Sequence, residues 1–271
     1  MAAEPLLEAR GLLKYFGGVT AVNNVDFEIW PGEILALIGP NGAGKTTIFN
    51  LISGTHRLDQ GKVVFKGQDI TNLRPSEVVA QGVVRTFQNL QIFDNMTVLE
   101  NVLVGCHLQG KAGFLATALR LPGTAVEEKH LRVRGREFLD LVGLVGLADL
   151  PASSLTFGQQ RLVEFARTLA VGPQLLLLDE PAAGLTRVEA EELDRLICRI
   201  RDQGITVFLV EHDMNLVMGI ADRVIVLQYG VKIASGTPAE VQANPVVIQA
   251  YLGADWHNER QPEQAIEVEN A

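Results

Sequence analysis

The residues with the most chemical content are Gly39-Pro40-Asn41-Gly42-Ala43-Gly44-Lys45-Thr46, a match to G-x-x-x-x-G-K-[ST]. The spacing has a physical reason. Gly42 and Gly44 let the backbone turn where a Cβ would clash, so that successive N–H groups point inward at phosphate oxygens. A helix beginning here adds its positive N-terminal end. Lys45 would then bridge the β- and γ-phosphates of a nucleotide. Thr46 would ligate Mg²⁺ through its hydroxyl, and Thr47 would reach the α-phosphate. A glycine-rich turn can match the pattern by chance, but here the match lies between an apolar run and a helical one, as the chemistry requires.

A second group of residues suits the first. Four leucines, 175–178, run into Asp179-Glu180-Pro181. An apolar strand ending in paired acids sets one carboxylate beside a phosphate-bound Mg²⁺, with Asp179 holding the ion through its water shell. Glu180 would lie nearer the γ-phosphate and polarise the attacking water, as general base or water-orienter. Taken alone, the pair could be acids reaching solvent at a strand end. Downstream of a phosphate loop, the metal-and-water reading is favoured.

Elements must bring these groups together, and the chain has an α/β rhythm. Residues 6–30 alternate short apolar runs with turn signals and read as strands. Residues 33–38 form a short apolar run ending at Gly39, the pattern of a buried, parallel strand. A helix is expected from 46 to about 53, and residues 61–70 resemble a hairpin arm. Between 95 and 150 the pattern turns helical, with a long charged helix around 127–142. The stretch 105–125 has no clear assignment. Buried strands return at 175–178, 205–210 and 224–227. Leu193, Leu196, Ile197 and Ile200 mark one face of a helix over 188–202. The end of the chain, 254–271, carries five acids against one arginine and reads as a mobile acidic tail.

The chain resembles the ATP-binding cassette (ABC) ATPases. Their signature, typically LSGGQ upstream of the paired acids, corresponds to Leu155-Thr156-Phe157-Gly158-Gln159. Thr156 keeps a hydroxyl that can bond a phosphate, whereas Phe157 adds bulk where the family is usually bare. Thr156 also reads as a helix N-cap, compatible with an anion site. The resemblance implies that Phe16 stacks on adenine and that Gln88 contacts Mg²⁺ or the attacking water. It further implies that His212 touches the γ-phosphate. The cofactors implied are ATP and Mg²⁺, with Thr156, Phe157, Gly158 and Gln159 meeting the nucleotide of a partner cassette. Thr186 departs from the Asp or Asn common at the end of the loop 183–186. The implied fold is α/β, a P-loop NTPase (RecA-like) core with an antiparallel β subdomain and an inserted α-helical subdomain. Within an ABC ATPase domain over 6–253, the core would take 6–88 and 156–235, the helical subdomain about 89–155, and a C-terminal helical piece 236–253.

A finer likeness lies in the aromatic-Gly-Gln-Gln signature, in DEPAAGL, in EHDM with NLVMGIADR, and in the ending NPVVIQAYLG. These are similar to the ATPase subunits of bacterial importers for branched-chain amino acids, whose relatives serve urea or amides. The implied partners are membrane permease subunits, a second identical or homologous ATPase subunit and, indirectly, a periplasmic or extracellular solute-binding protein. The implied location is the cytoplasmic face of the inner (plasma) membrane, as a peripheral protein. Leu90, Ile92, Phe93, Met96 and Leu99 offer a docking surface for the permease or, equally, core packing.

Composition narrows the alternatives. The 271 residues are 47% hydrophobic and 20% charged, an ordinary globular balance. A net charge of -9 disfavours bulk nucleic-acid binding. The two cysteines, Cys106 and Cys198, lie far apart, which argues against a disulfide framework or a zinc site. His56, His107, His130 and His257 show no ligand spacing and read as surface or packing residues. No apolar run is long enough to span a membrane and no secretory signal is visible, so a soluble, cytosolic chain is expected. A soluble ABC protein acting on ribosomes or DNA usually carries two cassettes or coiled-coil insertions, which are not seen here. A regulatory or assembly ATPase without transport is the other alternative.

Overall fold

The computed structural model describes residues 4–86, 91–107 and 124–250. The chain opens with two long strands, β1 (Leu7–Phe16) and β2 (Val19–Ile29), joined by a tight turn. With β4 (Gln60–Phe65) and β5 (Gln68–Asp69) they form an antiparallel sheet of order β2-β1-β4-β5. The hairpin arm read at 61–70 is β4 and β5.

The second sheet contains β3 (Ile34–Ile38), β6 (Val83–Arg85), β7 (Leu175–Asp179), β8 (Thr206–Val210), β9 (Arg223–Gln228) and β10 (Val231–Gly236). Its order is β10-β9-β3-β8-β7-β6, parallel from β9 to β6, with β10 antiparallel at the edge. The central strands are continuous apolar runs because both faces are covered. Alternation along them sorts side chains between two cores. Leu175, Leu177, Phe208 and Val210 join the core shared with the antiparallel sheet. Leu176, Leu178, Val207 and Leu209 join the core on the opposite face. Phe208 lies 4.8 Å from Phe49 and 5.5 Å from Phe27, tying both sheets to the helix after β3.

The helices are α1 (Lys45–Ile52), α2 (Pro75–Ala80), α3 (Val98–His107), α4 (Thr124–Leu141), α5 (Phe157–Ala170), α6 (Arg187–Asp202), α7 (Met214–Ile220), α8 (Pro238–Ala243) and α9 (Pro245–Ala250). The helical patterns at 46–53, 127–142 and 188–202 are thus α1, α4 and α6. On α6 it is Leu193, Leu196, Ile197 and Ile200 that are buried, as their spacing requires. α5 packs against α3 and α4. α3 turns Val98, Leu99, Val102 and Cys106 inward. Leu99 is therefore a core residue and not part of an exposed docking surface. Ile92 packs partly buried against the same core, whereas Phe93 and Met96 are exposed. Leu90, most of 105–125 and the tail lie outside the described residues. No helix among the described residues is long and apolar enough to cross a membrane.

Candidate functional site

Three parallel neighbours, β3, β8 and β7, release their chains at the same edge of the sheet. β3 leads into the glycine loop, β7 ends on Asp179, and β8 leads into Glu211-His212. This gathering at strand C-termini is where open α/β sheets place ligands.

The glycine loop is shaped by positive backbone φ at Gly39 (154°), Gly42 (80°) and Gly44 (102°). Gly39 and Gly44 have a second reason to be bare. A Cβ on Gly39 would lie 2.3 Å from the Leu227 carbonyl oxygen, and one on Gly44 2.5 Å from that of Ala21. Around Gly42 nothing lies within 4 Å of such a Cβ. Ala43 is buried, and its N–H donates to the Pro40 carbonyl at 3.1 Å. Asn41 and Thr46 are exposed, while Pro40 and Thr47 are half-buried. Gly44 caps α1 without a side-chain bond, so the amides of the first turn keep their capacity for an outside acceptor. Lys45 is buried, and its Nζ donates to the carbonyls of Gly39 at 2.6 Å and Pro40 at 3.2 Å. Burial pushes its pKa below that of an ordinary lysine, against the opposing pull of Glu180 and Asp179. The lysine thus spans the loop while facing both carboxylates.

Asp179 is 1% exposed. Its Oδ2 accepts from Arg85 at 2.5 Å, and Arg85 also donates to Asn50 on α1 at 2.6 Å. Its Oδ1 is buried with no partner. An orphaned carboxylate oxygen beside a phosphate loop and the Thr46 hydroxyl fits a hydrated divalent cation such as Mg²⁺. Among the described residues no cluster of His, Cys, Asp or Glu could hold a metal by itself. The cation would therefore need phosphate oxygens to complete its shell. Glu180 adopts φ 48°, a left-handed conformation costly outside glycine, and its N–H donates to Val210 at 2.9 Å. The Glu180 side chain is half-buried, next to the fully buried Asp179 in sequence.

The His212 side chain is 63% exposed, beside the fully buried Glu211. Phe16 is 44% exposed at the end of β1, with His56 edge-on at 5.3 Å and Lys14 Nζ 5.3 Å from its ring centre. Asp59 fixes that strand end, accepting from the Tyr15 N–H at 2.6 Å and from Lys14 at 3.1 Å. Gln88 lies outside the described residues.

Thr156 caps α5. Its hydroxyl accepts from the Gln159 N–H at 3.3 Å, while the Gln159 side chain accepts from the Thr156 N–H at 3.1 Å. The N-cap reading of Thr156 therefore holds. A Cβ on Gly158 would lie 2.2 Å from the carboxylate of Glu189, which is itself held in the Thr186 cap of α6. The Phe157 ring approaches Gly184, whose Cβ would sit 3.1 Å from it, and Arg161 lies over the ring at 5.9 Å. Phe157 thus directs part of its bulk onto its own chain's 183–186 loop.

The sequence reading gives Arg85 and Glu211 no individual role, and takes His56 only as a surface or packing residue. A lone arginine closing an apolar strand and an acid closing another were the only available signals.

Residues 22–183 match the family model described as ABC transporter, and 231–257 that of the branched-chain amino acid ATP-binding cassette transporter. The high-affinity branched-chain amino acid transport ATP-binding protein LivG of Escherichia coli K12 is 45% identical over 252 residues, covering 93% of this chain and 99% of LivG. BraF of Pseudomonas aeruginosa, with the same description, is 41% identical over the same shares. Among solved structures, the ADP conformation of MJ1267, an ATP-binding cassette of an ABC transporter, superposes with a TM-score of 0.80. It is 33% identical and covers 92% of this chain and 99% of that one. A dimeric post-hydrolysis state of the cassette MJ0796, bound to ADP and Pi, gives 0.72 at 26% identity, with coverage of 86% and 98%.

Proposed function

Because the chain belongs to the ABC transporter family, we propose that it is the ATP-binding and ATP-hydrolysing subunit of an importer, with branched-chain amino acids as the most natural cargo. This reading rests on the convergence of the glycine loop, the Asp179–Glu180 pair and His212 at the ends of β3, β7 and β8. The cargo assignment is supported by LivG and BraF, named for branched-chain amino acid transport.

In this mechanism the loop amides and Lys45 bind the phosphate chain of ATP, and Phe16 carries the adenine with His56 at its edge. Thr46 and Asp179 would hold Mg²⁺, which neutralises phosphate charge when bound. Glu180 orients and deprotonates the attacking water, and its left-handed backbone fixes the direction of attack. His212 and Gln88 complete the contacts to the γ-phosphate side. The Thr156-capped helix belongs to the other site of a pair, offering its amides and the Thr156 hydroxyl to the nucleotide of a second cassette. ATP bound between two cassettes favours the closed pair, and hydrolysis releases it. The dimer of MJ0796 with ADP and Pi is consistent with that cycle.

Closure must reach a membrane permease. A cavity of about 310 Å³, lined by Val79, Val84, Gln91, Phe93, Val104 and Arg167, lies between α2, β6, α3 and α5. Phe93 is exposed there, with Arg167 5.6 Å from its ring centre. This groove is the docking site we assign to a permease helix, which would hold the chain peripherally at the cytoplasmic face of the membrane.

The test is complementation. In cells lacking the homologous importer ATPase, the chain should restore uptake of labelled leucine, and Lys45→Ala should not. Restored uptake by Lys45→Ala, or copurification with no permease, would overturn the reading.

A further inference from the structure

Glu211 directly follows the apolar strand β8 and is 0% exposed, yet it carries a carboxylate. Burying that group is costly unless its oxygens are satisfied. Both oxygens are used, and by different loops. Oε1 accepts from the Ala182 N–H at 3.0 Å, and Oε2 accepts from the His212 N–H at 3.1 Å. His212 Nδ1 lies 3.7 Å from the same Oε2. The loop that Oε1 holds continues into Gly184, against the Phe157 ring, and into Thr186 and Glu189, against Gly158. One buried side chain therefore links the histidine loop to the loop following the Asp179–Glu180 pair. Through that loop it reaches the start of α5.

We propose that Glu211 is a positioning residue, a two-armed acceptor that sets the posture of His212 and makes the loop 182–186 and the α5 N-terminus move with it. The proposal rests on the reading of His212 as the γ-phosphate contact and extends it. A change at the γ-phosphate would alter the His212 backbone, and the same carboxylate would carry that change to the surface offered to the second cassette. An apolar residue would fill the space equally well but would leave both amides without an acceptor, so burial alone does not explain the acid.

Glu211→Gln tests this, because its amide NH₂ must face at least one of the backbone N–H donors of Ala182, His212 and Asp213. In the full-length chain, together with the cassette that copurifies with it, single-turnover hydrolysis should slow by about tenfold or more. ATP affinity should stay within about twofold, because the substitution spares the loop 39–47. The His212 ring resonance, identified in ¹³C-histidine spectra by its loss in His212→Ala, should shift and lose its response to Mg-ATP. In a His212→Ala background, Glu211→Gln should slow hydrolysis by less than about twofold further. Should Glu211→Gln not fold, Glu211→Asp, which keeps the charge on a side chain one methylene shorter, should slow single-turnover hydrolysis relative to wild type and move the His212 resonance. Full turnover with an unmoved His212 resonance in a folded Glu211 variant would overturn the inference alone. Full turnover in His212→Ala would overturn the reading of His212 and the inference together.

Discussion

Alanine at Gly42 and at Gly44 should separate the two demands placed on the phosphate loop. Both residues sit at positive φ, 80° and 102°, so either substitution carries a left-handed penalty of about 1–2 kcal/mol. They differ in what a Cβ would meet. At Gly44 it would press on the Ala21 carbonyl at 2.5 Å, adding about 1–3 kcal/mol of overpacking. At Gly42 it would enter open space, where a phosphate of bound ATP would sit. Gly42→Ala should therefore lower the thermal midpoint by about 2–8 °C and no more. Displacing one phosphate oxygen from a backbone N–H forfeits a charge-assisted bond of about 1.5–3 kcal/mol. That loss weakens ATP binding by about 10- to 150-fold. Calorimetric titration with a non-hydrolysable ATP analogue, beside thermal unfolding of both variants, reads the two effects separately. If Gly42→Ala binds within about twofold of wild type but unfolds as early as Gly44→Ala, the loop does not cradle phosphate as argued.

Glu180→Gln should reduce turnover by at least about a hundredfold, the contribution expected of a positioned base, while ATP affinity measured by titration is retained. Burial, with Asp213, Glu211 and Glu191 nearby, pushes the Asp194 pKa up to about 6. A carboxyl raised on folding weakens the protein progressively as pH climbs from about 4 to 6, and fully above that. Asp194→Asn should thus raise the thermal midpoint by a few degrees near neutral pH, about 1 kcal/mol after allowing for the side chain's partial exposure. No gain should appear near pH 4. Phe93→Asp should abolish copurification with the permease in a pull-down from membranes while ATP affinity is unchanged.

The chemistry was legible where residue type and spacing coincide. The glycines of 39–44 and the four leucines before Asp179 constrain backbone and burial locally, and both take the conformations their pattern demands. β6 and β10 were not legible. The first is three residues of strand and the second a half-exposed edge, so neither carries a strong period. The apolar stretch around 90–99 looked uniform, yet it divides between the exposed Phe93 and Met96 and the buried Leu99. Val98, Val102 and Cys106 share Leu99's helical face, a clue available from spacing alone. Phe157 read only as added bulk in the signature, because its contact with Gly184 joins elements distant in the chain. The partners of Glu211 and the clamp of Arg85 on Asp179 are likewise products of strand register, which no local pattern reveals.

The central claim is that this chain builds half of a shared ATP site. Light scattering of Glu180→Gln, with and without Mg-ATP, tests it most directly, both alone and mixed with each cassette that copurifies with the chain. Adding ATP should raise the mass from one cassette to two, and the rise should be lost when Thr156 and Gln159 are both replaced by alanine. A mass that stays at one cassette in saturating ATP, with every available partner, would contradict it.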